Sequence, residues 1–69
     1  KALGANDDVL TYQMSATAET IVVTVNRSDS EKNGDGVPAG SYEDLLTGET
    51  VNGPNPSVKA RSARVLLAK

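Results

Sequence analysis

The sequence predicts an all-β chain, folded as an antiparallel sandwich or small barrel of five to six short strands. Three observations carry that prediction. Thr20-Ile21-Val22-Val23-Thr24-Val25-Asn26 is a β-branched run with strand alternation. Turn-forming clusters recur between the apolar stretches, at the spacing of hairpins. No segment of useful length carries the 3.6-residue period of an amphipathic helix.

Residues 1–8 are polar and contain glycine, and read as a linker or frayed N-terminus ahead of a single antiparallel β-domain spanning 9–69. Val9 to Met14 alternates, with Leu10, Tyr12 and Met14 on one face. Ser15 to Glu19 has the length of a hairpin loop. The β-branched run then sets Ile21, Val23 and Val25 on one side and Val22 and Thr24 on the other. Arg27 to Ala39, rich in Ser, Asp, Asn and Gly, is the longest irregular stretch and is closed by Pro38. A strand over Gly40 to Leu46 reverses at Thr47-Gly48, where glycine suits the positive φ of a tight turn. Glu49 to Val51 begins the return. Asn52-Gly53-Pro54-Asn55-Pro56 is too dense in turn formers to be helix or central strand. Ser57 to Ala60 and Ser62 to Leu67 read as the last strands, with Ala63, Val65 and Leu67 pointing one way.

These phases make Leu10, Tyr12, Met14, Ile21, Val23, Val25, Ala63, Val65 and Leu67 the main apolar face. Val22, Leu45 and Leu66 fall out of phase, so the second face is partly apolar as well. A freely solvated face would be polar; a neighbouring domain covering part of the surface is one account of the difference, and scattered surface aliphatics, ordinary in any protein, are the other.

Composition narrows the chemistry. A chain of 69 residues buries only about 60% of its unfolded surface, near the lower limit for independent folding. It contains neither Cys nor His, which removes disulfides, thiolate metal sites and the Ser-His-Asp and Cys-His nucleophile systems. The net charge of −2 gives no general attraction to nucleic acid or to an anionic membrane, and no apolar run approaches a membrane span. All nine acids lie between Asp7 and Glu49, while Lys59, Arg61, Arg64 and Lys69 occupy the tail. Opposite-sign strands meeting in one sheet explain that split; a basic edge that docks on a partner is the other reading. The chain opens on Lys1 and shows no secretory leader pattern, which reads as a piece of a longer protein whose compartment the sequence leaves open.

Three sets of residues are candidates for function. Asp29, Glu31, Asn33 and Asp35 place oxygen side chains at every second position, as a calcium loop does. However, Glu31 replaces a short acid, and the twelfth position from Asp29 is Gly40, not a bidentate glutamate. Calcium is the one ion with a motif; no other cofactor is expected. Tyr12 and Tyr42 are the only aromatic residues, and an exposed ring would stack a sugar; rings filling a thin aliphatic core are the simpler reading. The carboxylate pairs Asp7/Asp8 and Glu43/Asp44 lack the cleft that acid–base catalysis needs, the second pair pointing to opposite faces. No catalytic residue is assigned. Arg61 is expected to meet an acid such as Glu43 or a neighbouring domain.

Three stretches together resemble the C-terminal β-domain of the alpha-amylase superfamily of glycoside hydrolases. They are Val-Val-Thr-Val-Asn-Arg-Ser-Asp (22–29), Val-Pro-Ala-Gly-Ser-Tyr-Glu-Asp-Leu-Leu-Thr-Gly-Glu (37–49) and Ala-Arg-Ser-Ala-Arg-Val-Leu-Leu (60–67). The resemblance runs from about Val9 to Leu67, and rests on order and spacing. It implies a small antiparallel Greek-key β-sandwich that follows a catalytic (β/α)8 barrel in the parent chain and stabilises it by packing. In that family the catalytic carboxylates lie on the barrel, so none is carried to this chain. The parent would act on alpha-glucans. The alternatives are a carbohydrate-binding β-module using Tyr12 and Tyr42, and a β-module stabilised by calcium in the 29–36 loop.

Overall fold

The computed structural model describes residues 2–5, 7–16 and 18–69. Within them lie eight strands and no helix: β1 (Ala2–Ala5), β2 (Val9–Ala16), β3 (Glu19–Asn26), β4 (Lys32–Asn33), β5 (Ser41–Asp44), β6 (Thr50–Asn52), β7 (Ser57–Val58) and β8 (Ser62–Ala68). Six form an antiparallel sheet in the order β1-β2-β3-β8-β5-β6, and β4 and β7 form a separate two-stranded ribbon. The chain leaves the sheet after β6, passes through the ribbon and returns to place β8 beside β5, a Greek-key path. The ribbon lies over β3 and β8 and makes the second layer.

The β2–β3 hairpin keeps a continuous register from Val9↔Asn26 to Ala16↔Glu19, so the strands run further into the expected 15–19 loop than local composition suggests. The second hairpin turns through residues 45–47. Asp44 Oδ1 accepts the Leu46 N–H at 2.9 Å, and the Gly48 N–H donates to the Asp44 carbonyl at 2.7 Å. Gly48 has φ +81°, the left-handed value for which glycine was expected there.

Two expectations are corrected. Residues 2–5, read as part of a linker, are an edge strand paired with β2, with a bulge between Ala2 and Gly4. Ala-Leu-Gly-Ala has little strand propensity of its own; pairing to a long neighbour supplies what propensity lacks. The two faces are also exchanged. The enclosed side carries Val22, Tyr42 and Leu66, which cluster with Val37 and Val51, and Leu3 packs against them. The face ranked first by its apolar content is the uncovered one.

The enclosed face is buried despite its polar residues because each of those is partnered. Thr11 and Thr24, both fully buried, share a 2.9 Å hydrogen bond across β2 and β3. Gly34 lies directly over this pair, where a Cβ would come within 2.8 Å of Thr24 Oγ1, so glycine is required by the close approach. The Asn26 carboxamide, 1% exposed, donates to the carbonyls of Ser30, Val58 and Lys59 at 2.8, 2.9 and 3.1 Å. Its oxygen accepts the N–H and the hydroxyl of Ser28 at 2.9 and 2.8 Å. Among the described residues every buried side-chain nitrogen or oxygen has a partner.

Asp44 is 1% exposed and accepts from Arg64 Nη1 at 2.9 Å. Arg64 Nε donates to the Ser57 carbonyl at 2.7 Å, and Glu49 lies 3.9 Å from the same Nη1. One guanidinium therefore joins β8 to β5, to the β5–β6 turn and to the ribbon. Removing it strands a buried carboxylate, a change that costs roughly 3–5 kcal/mol, comparable to the whole stability of roughly 3–10 kcal/mol expected at this length. Arg64→Met is expected to unfold much of the population in buffer. Adding Asp44→Asn, which keeps an acceptor for the Leu46 N–H, should restore most of the lost stability. Urea titrations followed by circular dichroism check both; a double variant no more stable than Arg64→Met would refute the pairing argument.

Candidate functional site

The most distinctive surface is the uncovered face of β2, β3 and β8. Strand alternation and the observed registers place nine apolar residues there as a lattice of three rows: Leu10, Val25 and Ala63; Tyr12, Val23 and Val65; Met14, Ile21 and Leu67. Most are half-buried by their neighbours, while Val23 at the centre is 7% exposed and Met14 at the corner 51%. With about 4.8 Å between strands and about 6.8 Å between rows, the lattice covers about 300 Å². Leu45, 47% exposed, adjoins it, its N–H donating to the Val65 carbonyl at 2.8 Å. Glu43 faces Leu67 across β5 and β8, so a carboxylate borders the third row. A solvated sheet face normally carries polar residues at such positions, so the apolar lattice is the feature of this surface that a function would use.

The two tyrosines part company. Tyr12 sits in the middle row of the open lattice, half-buried, opposite Ala2 and Val23. Tyr42 is 4% exposed within the core, and its hydroxyl donates to the Pro38 carbonyl at 2.9 Å. It offers no ring face for a sugar, because its strand phase is that of buried Asp44.

The four residues of the expected calcium loop do not converge. Asp29 is ion-paired with Arg61 at 2.5 Å, both side chains being largely exposed. Asn33 belongs to β4 and, with Asp35, lines an open cavity of about 470 Å³ together with Asp7, Asp8, Val9 and Lys32. The Lys32 ammonium is 3.6 Å from Asp8. Glu31 is exposed. Among the described residues no three acidic side chains form a group able to hold a metal ion.

Arg61 meets Asp29, not Glu43, and it is Arg64 that takes the buried acid. Lys69 Nζ reaches Thr50 Oγ1 at 3.2 Å. Arg61 and Arg64 are thus paired within the fold, as the meeting of opposite-sign strands requires. Glu43 and Asp44 do point to opposite faces: Asp44 is ion-paired with Arg64 in the interior and Glu43 borders the open lattice. The Arg64–Asp44 pair could not be picked out from sequence, since the choice of Asp44 over its neighbour depends on which face is enclosed. The lattice itself was visible as alternation; its exposure was not.

No family model matches the chain, and no curated protein matches it in sequence. Among solved structures, the crystal structure of AmyP in complex with maltose superposes with a TM-score of 0.77 at 21% identity, over 97% of this chain and 15% of AmyP. At that identity the likeness is one of fold: this chain has the architecture of a β-unit that makes up a small part of a much longer polypeptide.

Proposed function

We propose that this chain is a non-catalytic accessory β-domain of an alpha-amylase-like glycoside hydrolase, which stabilises a catalytic (β/α)8 barrel domain of the same polypeptide by packing against it. The observation that carries the reading is the open lattice on β2, β3 and β8. A patch of about 300 Å² falls well short of the roughly 800 Å² per partner used by free-standing complexes. Such an area suffices for a neighbour already tethered at high effective concentration. The match to AmyP over nearly the whole chain, at 15% of that protein's length, supports a unit of this shape within a larger enzyme. With neither His nor Cys, and with Asp44 committed to Arg64, the chain's own part is contact, not bond cleavage.

In the longer protein that carries this domain, Val65→Ser with Leu67→Ser should lower the melting temperature by several degrees, since full burial of each side chain is worth about 1.5–3 kcal/mol. Turnover on a short soluble alpha-glucan should stay the same. Unchanged melting with a selective loss on polymeric substrate would overturn the packing role.

Tyr12 supports a second reading, binding of an alpha-glucan chain along the open face, because its ring lies on that face while Tyr42 does not. On the packing reading the chain is not retained by insoluble starch. Retention abolished by Tyr12→Ala would favour the sugar-binding module instead.

A further inference from the structure

Two Asn-Gly dipeptides, Asn33-Gly34 and Asn52-Gly53, occur in this short chain, and both asparagines are exposed. Asn-Gly is the sequence at which an asparagine side chain most readily closes on the following backbone nitrogen, because glycine offers no Cβ to hinder the approach. The glycine nitrogen loses its proton to solvent hydroxide and attacks the asparagine Cγ. As the new N–C bond forms, the Cγ–Nδ2 bond breaks and ammonia leaves. Water then opens the succinimide to aspartate or isoaspartate, adding one negative charge.

In the fold, both glycine nitrogens are engaged. The Gly34 N–H donates to the Pro56 carbonyl at 2.7 Å, and the Gly53 N–H donates to the Gly40 carbonyl at 2.9 Å. Asn33 is paired with Ser57 in β4 and Asn52 with Ser41 in β6, so extended backbone holds each side chain away from the folded-back arrangement that ring closure needs. Gly34 is buried besides, over Thr24.

We infer that Asn33 and Asn52 are latent deamidation sites, silent in the folded chain and opened by local unfolding of the β4–β7 ribbon and the β6 edge. The two sites differ in consequence. Asn33 lines the open cavity shared by Asp7, Asp8, Asp35 and Lys32, whose ammonium pairs with Asp8, so conversion there adds a carboxylate to a lining that already holds three against one cation. Like charges in one site repel and disfavour the compact form, and an isoaspartate would also lengthen the backbone within a two-residue strand. Each opening that ends in conversion at Asn33 therefore makes the next opening easier. Asn52 lies on a short outer strand, and its conversion lacks that repulsion.

The test is peptide mass mapping of the whole chain, with isoaspartate resolved from aspartate, after incubation at mildly alkaline pH with and without denaturing urea. Both sites should convert readily in urea and slow by about tenfold or more in buffer, and the amide hydrogens of Gly34 and Gly53 are expected to exchange slowly there as well. Asn55, followed by Pro56 and so lacking the attacking N–H, is the internal control and should remain intact in both. Equal rates in the two solutions overturn the inference, as does rapid conversion of residues whose glycine amides exchange slowly. Asn33→Asp should be less stable than Asn33→Gln, with the gap narrowing in high salt; equal stability would refute the charge argument for Asn33.

Discussion

The carboxamide of Asn26 is the point on which the two layers depend. It ends the longest run of β-branched residues, and its five hydrogen-bonded contacts reach Ser28 and Ser30 on one side and Val58 and Lys59 on the other. A single buried side chain thus ties the exit of β3 to the exit of β7. Together with the Arg64 bond to the Ser57 carbonyl, that tie fixes the ribbon over the sheet. The aliphatic core is thin: Val22, Val37, Val51 and Leu66 around one tyrosine ring. Fixed polar anchors compensate for the missing volume. An ordinary hydrogen bond adds only about 0.5–1.5 kcal/mol, but each anchor also prevents the larger cost of an unpaired buried group. Thr11 with Thr24 and Asp44 with Arg64 repeat the arrangement at two other points on the same face.

Strand content was legible because β-branched runs and turn clusters report on local chemistry. The assignment of faces was not. Alternation ranks faces by apolar content, and by that measure Tyr12, Val23 and Val65 outrank Thr11, Thr24 and Arg64. Burial follows cover, however, and the cover comes from residues 31–38 and 53–58, most of which look like loop in sequence, although Ser57 and Val58 were expected as strand. Their two short strands gain meaning only when paired with each other. The edge strand at Ala2–Ala5 was hidden for the same reason. Of the site residues, Tyr12 and Tyr42 were legible only as the chain's two aromatic rings; that Tyr12 lies on the open face and Tyr42 in the core follows from a strand phase whose direction the sequence leaves undetermined.

The three stretches that carried the family resemblance are scattered along the chain, yet they contribute β3, β5 and β8, which lie side by side at the centre of the sheet. That adjacency explains why their order and spacing held information when no single motif did. The segments describe the middle of the sheet, while β1 and β6 are its edges and β4 and β7 form the separate ribbon. It also explains why the open lattice, built on β2, β3 and β8, is firm enough to present a defined surface: two of its three strands belong to that middle.

The position of β8 has a consequence for how the chain is made. It is the last of the eight strands to be synthesised, yet it fills the gap between β3 and β5. Until it emerges from the ribosome, the sheet exists as two separate halves, each with an inner edge of unsatisfied N–H and C=O groups. The halves are the β1-β2-β3 meander and the β5–β6 hairpin. Closure of the sheet therefore waits until β8 has been made, and this long-range pairing is its last event. A truncation that takes away β8 would remove the seam of the sheet, not its fringe.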